Sequence, residues 1–469
     1  MSSVDIINSG LDVGSIVDGL ISLERAPITR MQSQASSFQS KISAFQSLNS
    51  KLSSLLAKVD RLLYNGDEAP LSTPSTFEER FDNSVFSATK TTSSDEKVLK
   101  ASAAAGAING TYDIMVVGLA KIQTDLSSGF LATTTSIGDT GILDISVDGA
   151  APVHVEINGG NNTLQGMMNA INDAEAGVKA SIINDGTEAP YKLVINSSET
   201  GKANGYTITK VGWSGTALSF TNKVAADDAH LNVNGIDIYR GSNTISDVIS
   251  GVTLNLNSAS ASPVTVTVAE DVDAMASAVR DLVAAYNEIN TVILNQTRYN
   301  TQTKTAGVLA GDSTLRDIQT KLQSIVTRSV SNSHGSLTIL RQIGIKFNND
   351  GSLGFDDSKF RSAVANDLTS VAALLLGDGG TTGGSPTVDL HNALKSITDP
   401  LTGPIHNSTQ SLSDNIKALN DRISDYQDRL AVRKELLTAE YGRADQAMRL
   451  MNMNQNSLSS QMASLSGLG

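Results

Sequence analysis

The chain has no cysteine. A disulfide framework and a thiolate nucleophile are therefore excluded, and histidine and carboxylate alone are left to hold any metal. Aromatic residues fill 4% of its 469 positions, so a core must be built from Val, Ile, Leu and Ala. Charged residues, at 18%, fall below the ~25% usual for globular chains, and Ser, Thr, Asn and Gly take their place. An excess of positive charge is missing too. The formal balance is −13, the wrong sign for gripping phosphates, so nucleic acid is not expected as a partner. No apolar run is long enough to span a bilayer, which leaves no candidate transmembrane helix. A secretory signal is also absent: Asp5 follows Met1 where Lys or Arg belongs, Asp12 and Asp18 interrupt the apolar stretch, and no Ala-x-Ala site follows. Export, if it occurs, is expected to leave the N-terminus uncleaved.

Patterning is what the chain does have. The stretch "GLDVGSIVDGLISLERAPI" places Leu11, Ile16, Val17, Leu20 and Ile21 on one side of a short amphipathic helix. Gly14 and Gly19 weaken that helix, and Pro27 separates it from the long helical stretch beginning at Ile28. Two readings of the five apolar residues are equally open: contacts to a partner or a neighbouring copy, or packing against the C-terminal helix of the same chain. Residues 1–27 are expected to be flexible and to order on assembly.

Counting onward by three and four gives Ile28, Met31, Ala35, Phe38, Ile42, Phe45, Asn49, Leu52, Leu56, Val59 and Leu63, a heptad seam broken only by Asn49. Asn49 either fixes register or sits at a solvated edge. Pro70 and Pro74 then end helical structure. A second seam, Leu412, Ile416, Leu419, Ile423, Tyr426, Leu430 and Leu437, is interrupted by Arg433 and Glu440. Two coiled-coil seams at opposite ends predict termini that pack together around an inserted excursion.

That excursion reads as β. Alternating runs fill Val85 to about Thr124. Residues 145–183 and 231–257 share a possible repeated grammar: a strand, an Asp-Gly or Asn-Gly turn, a strand, an Asn-Thr pair capping a short helix, and another strand. Helical spacing returns from Asp271. The predicted class is α+β multidomain, with long terminal helices paired as coiled-coil or bundle legs and β-rich head domains inserted between them. The expected boundaries are a flexible segment 1–27; a helical leg domain of 28–72 with 273–410, carrying a small hairpin near 343–356; a β-rich head domain of 73–127 with 229–272; a second of 128–228; and a C-terminal coiled-coil helix, 411–469.

Motifs for chemistry fail on spacing. In "KFNNDGSLGFDD" Gly351 suits a calcium loop, but Lys346 falls on the first ligand position and Asp357 on the twelfth. "GDGGTTGGSP" lacks the Lys-Ser/Thr of a phosphate loop, and Ser313 lacks a nucleophile elbow. His154, His230, His334, His391 and His406 are scattered. Trp213 in a Gly-Ser context is read as core packing before partner contact. No catalytic residue, cofactor or metal is expected.

Several stretches together resemble one family. The N-terminal "GLDVGSIVDGLISLERAPITRMQSQ", "DAEAGVKASIIN", "SNTISDVISGVTLNL", "GDSTLRDIQTKLQSI", "LRQIGIKFNNDGSLGFDDSKF" and "LNDRISDYQDRLAVRKELL" are similar, in order, to the flagellar hook-associated protein 2 family, the filament cap. The likeness is weakest between about 128 and 228. The resemblance implies export through the flagellar type III channel and a homo-oligomeric ring, of five or six subunits, at the distal filament tip. It also implies leg contacts to flagellin, β-rich heads forming a plate, and an export chaperone on the C-terminal helix. Two alternatives stand beside it: another axial component, such as flagellin or a hook–filament junction protein, and a surface adhesin binding glycans through the heads.

Overall fold

The computed structural model describes residues 12–64, 76–302, 304–377 and 384–466. Its helices are α1 Val13–Glu24, α2 Ala26–Leu63, α3 Phe77–Asp82, α4 Leu164–Asp173, α5 Val272–Thr297, α6 Ser313–Thr327, α7 Asp357–Leu376, α8 Pro386–Ile397 and α9 Pro404–Ser466. The strands of the excursion are β1 Thr89–Ser93, β2 Leu99–Ala103, β3 Gly110–Gly118, β4 Thr124–Ser127, β5 Gly141–Val147, β6 Val153–Ile157, β7 Val178–Asn184, β8 Tyr191–Ser197, β9 Tyr206–Val211, β10 Phe220–Val224, β11 Ala229–Val233, β12 Ile236–Arg240, β13 Thr244–Ile249, β14 Val252–Leu256 and β15 Val264–Glu270. The chain divides into a helical unit drawn from both its ends and a β-rich unit of residues 78–275.

In the helical unit α2 packs along α8 and α9. Pro27 sits in the first turn of α2, where its missing N–H costs nothing. Polar anchors also hold α2: Lys51 to Glu288 at 2.8 Å and Lys58 to Asp281 at 3.1 Å on α5, and Asp60 to His391 Nδ1 at 2.6 Å on α8. The Asn-Asp-Gly segment closes a hairpin of Ile345–Phe347 with Leu353–Phe355, with Gly351 at φ +82°. Asp356 then caps α7, its Oδ1 accepting from Lys359 N at 3.0 Å. The acids that mimicked a calcium loop are used as a turn and a helix cap.

The β-rich unit has two cores. In one, the antiparallel sheet β1-β15-β3-β11-β12 faces the smaller sheet β13-β14-β2 over Leu99, Ile114, Val116, Leu231, Leu254 and Val266. In the other, the sheets β10-β4-β8-β7 and β6-β5-β9 enclose Leu143, Ile157, Leu164, Met167, Leu193 and Ile195 together with α4. Trp213 packs against this second core, and its Nε1 donates to the buried Asp139 at 3.1 Å. Leu218 N donates to the same carboxylate oxygen at 2.9 Å. Tyr206 donates to Ile195 O at 2.6 Å, and burial pushes its phenol pKa far up.

One sequence expectation is corrected here. Residues 145–183 do form strand, turn, strand, capped helix and strand, with Thr163 Oγ1 accepting from Gly166 N at 2.9 Å. The corresponding Asn243–Thr244 caps nothing, and Thr244–Ile249 is strand β13. The Asn243 side chain is committed elsewhere: it accepts from Ala120 N at 2.8 Å and donates to Ala120 O at 3.0 Å. Without a cap, the β-branched Thr244, Ile245 and Ile249 pair with β14. The two segments are therefore not copies of one unit.

The chain crosses between the two cores twice. Lys121 and Asp227 pair as an antiparallel bridge at the crossing, and β4 already belongs to the second sheet pair, a few residues earlier than the expected boundary at 128. A clamp closes beside it. Thr200 Oγ1 donates to Gly241 O at 2.6 Å, and Lys202 N donates to Asp228 Oδ1 at 2.7 Å. The Lys202 ammonium lies 3.3 Å from Asp227, and hydrogen bonding to it holds the Asp227 carboxyl below the usual range. Gly201 has φ +103°, and a Cβ there would lie 2.6 Å from Gly241 Cα. Gly201→Val is therefore expected to cost about 1–3 kcal/mol in backbone strain alone, with the steric clash added. Limited proteolysis should then cut near residues 119–124 or 224–229. A wild-type digestion pattern and melting curve would show that the clamp is dispensable.

Candidate assembly surface on the terminal helices

Asp12 begins α1, its Oδ1 accepting from Ser15 N at 3.0 Å. Of the five sequence-predicted contact residues, Val17 and Ile21 are 1% and 3% exposed. They are buried within the chain, clustered with Ile28 of α2 and with Ile423, Leu430 and Leu437 of α9. Ile16 and Leu20 are half-buried, and Leu11 lies outside the described residues. Ion pairs flank the α1–α9 contact: Lys434 Nζ reaches Asp18 Oδ1 at 2.8 Å, and Arg433 approaches Glu24 at 3.9 Å. The hydrogen bond from Lys434 holds the Asp18 carboxyl below its usual range. Both partners are exposed, so this pair orients the helix more than it stabilises it.

Along α2, Ile28, Ile42, Phe45, Leu52 and Val59 of the seam are buried, while Met31, Ala35, Phe38, Asn49 and Leu56 are half-buried. Counting by heptads missed Ala44 and three leucines: Leu48 and Leu55 are 0% exposed and Leu62 is 1% exposed. The signal of the three was present in the sequence as leucines one place before the seam residues Asn49, Leu56 and Leu63. On α9, Leu419, Ile423, Leu430 and Leu437 are buried, and Leu412, Ile416 and Tyr426 are half-buried. Arg433 and Glu440, where the seam breaks, are exposed. Beyond Leu437 the helix presents Met448, Leu450, Met451, Met453, Leu458 and Met462 as exposed apolar side chains.

Charge separates the two units. Residues 78–275 hold 23 acidic and 11 basic side chains, a balance of −12, whereas the rest of the chain carries only −1. The helices can therefore approach other helices without net repulsion. Among the described residues no cluster of three or more His, Asp or Glu is arranged to hold a metal ion. No helix there is long and apolar enough to cross a membrane.

Comparison with known proteins agrees with this geometry along the chain. The family profile for the flagellar hook-associated protein 2 N-terminus matches residues 9–123, and that for its C-terminus matches residues 226–453. The flagellar hook-associated protein 2 of Escherichia coli K12 is 33% identical, with 97% of each chain covered. The B-type flagellar hook-associated protein 2 of Pseudomonas aeruginosa is 29% identical, covering 82% of this chain and 85% of that one. In three dimensions the D1-D2-D3 domains of the E. coli flagellar cap protein FliD superpose with a TM-score of 0.60 at 34% identity, covering 79% of this chain and 99% of that one. The two profiles leave only residues 124–225 between them, the stretch where the sequence likeness was weakest. This chain belongs to the flagellar hook-associated protein 2 family.

Proposed function

We propose that the chain caps flagellar filaments. The observation that carries this reading is the likeness to a solved flagellar cap protein through both the helical and the β-rich units. Copies assemble into a homo-oligomeric ring at the distal tip, retain flagellin delivered there, and promote its folding and insertion below the ring. The role is mechanical and non-catalytic: binding faces supply it, and no bond is made or broken. Export proceeds through the flagellar channel, with an export chaperone covering α9. The methionine-rich stretch past Leu437 supports that assignment, since Met adapts to varied partners. The glycan-binding reading has no observation in its favour and is not carried forward.

Gold-labelled antibody against the chain is expected to mark filament tips, and negative-stain images of concentrated protein should show discrete rings of about five or six copies. Label distributed along the shaft, or filaments grown from the purified chain, would overturn the cap assignment.

A further inference from the structure

The apolar stripe of α9 changes composition where its cover within the chain ends. At ~100° per residue, Ile423, Leu430, Leu437, Met448, Met451 and Met462 fall within an arc of about 80°. Ile423, Leu430 and Leu437 pack against Val17 and Ile21 of α1 and Ile28 of α2, with Tyr441 half-buried at the edge of the same cluster. Past Tyr441 the stripe is open: Met448, Met451 and Met462 are 44%, 71% and 69% exposed, and Met453, off the stripe, is 63% exposed. Leucine and methionine have nearly equal helix preference, so helix formation does not explain the change from one to the other. Four of the ten methionines thus stand in water within residues 448–462. Elsewhere the thioethers are shielded: Met167 and Met275 are fully buried, and Met31, Met115 and Met168 are half-buried. The chain has no cysteine, so no thiol of its own competes for an oxidant. The four open sulfurs are where a two-electron oxidant meets the protein first.

We propose that this methionine stretch is a peroxide-sensitive oxidation site that releases α9 from its partner. The claim rests on the reading above that an export chaperone covers α9, and it adds the regulation of that contact. Hydrogen peroxide transfers one oxygen atom to a thioether sulfur: the O–O bond breaks, an S=O bond forms and water leaves. The sulfur gives up two electrons and the peroxide takes them. The product is a polar, chiral sulfoxide in place of an apolar, flexible thioether. A stripe that grips by burying methionine then loses its driving force, because each S=O dipole would have to leave water without a partner. The helix is not asked to melt, since these side chains already face solvent in the free chain. A methionine sulfoxide reductase returns the thioether, so the change is reversible while the chain is still in the cytoplasm. An oxidised chain waits without its chaperone until it is repaired.

The full-length chain is treated with hydrogen peroxide, freed of it, and mapped by peptide mass spectrometry. Sulfoxide is expected at Met448, Met451, Met453 and Met462 well before Met167 or Met275, with the helical circular dichroism unchanged. Affinity for the purified export chaperone, measured by titration calorimetry, should fall about tenfold, as expected when buried apolar side chains turn polar. Reductase treatment should restore it, and chaperone bound beforehand should shield the four sites. A variant carrying Met448→Leu, Met451→Leu, Met453→Leu and Met462→Leu keeps an apolar stripe and a good helix former at each place. It should bind the chaperone and be indifferent to peroxide. Three outcomes would each overturn the switch and leave the chaperone on α9: sulfoxide spread equally over the buried methionines, an oxidised chain that binds as before, or a leucine variant that loses binding equally after peroxide. An untreated chain that does not bind the chaperone would overturn both.

Discussion

Cells from which this gene is deleted are expected to release monomeric flagellin into the medium and to bear short or absent filaments. The argument is kinetic. A subunit delivered unfolded must fold before it can join the lattice, and folding of a domain takes from microseconds to seconds. Nothing covalent holds an emerging chain at an open tip, so diffusion removes it during that interval. A ring over the tip converts escape into confinement, which raises the effective concentration of flagellin against its neighbours. The effect is close to all-or-none because every added subunit must pass the same step. Immunoblots of the culture medium, with filament lengths from electron microscopy, check it. Supplying the full-length chain in trans should restore filaments. Filaments of normal length in the deletion strain, with no flagellin in the medium, would end the cap reading.

How much of the fold was legible in the sequence depends on how local each signal is. The cap of α4 at Thr163 and the hairpin closed by Asn-Asp-Gly at 349–351 are each decided within a few residues, and each is where the pattern placed it. Asn243 was misread because its side chain serves Ala120, more than a hundred positions away. A capping residue lost to a distant partner leaves the local β preference to decide, and β13 is the result. Val17 and Ile21 were ambiguous for a related reason. The helix that covers them contributes Ile423, Leu430 and Leu437, and no short window of sequence states which pair of helices will meet.

The heptad seam of α2 supplies the sharpest separation between pattern and packing. A strict alternation of three and four residues suits a two-stranded coiled coil, in which one narrow stripe meets one partner. Helix α2 instead packs along both α8 and α9, so its apolar face is broader than one heptad stripe. The buried stripe changes register after Phe45: Leu48, Leu52, Leu55, Val59 and Leu62 are buried, still at steps of three and four, while Asn49 and Leu56 of the seam are half-exposed at its edge. The two arrangements make opposite predictions at adjacent leucines. Leu55→Ala is expected to cost about 2–5 kcal/mol, the range for deleting a fully buried leucine and leaving a cavity. Leu56→Ala, with part of its side chain already in water, should cost less than half of that. Helical and β-rich units need not unfold together, so the comparison should follow the helical signal at 222 nm through denaturant and fit that transition alone. Against a total of roughly 5–15 kcal/mol for a folded domain, the Leu55 change should move the midpoint visibly, and the Leu56 change should barely do so. The reverse order would mean that α2 keeps the register read from the sequence along its whole length, with Leu56 facing inward.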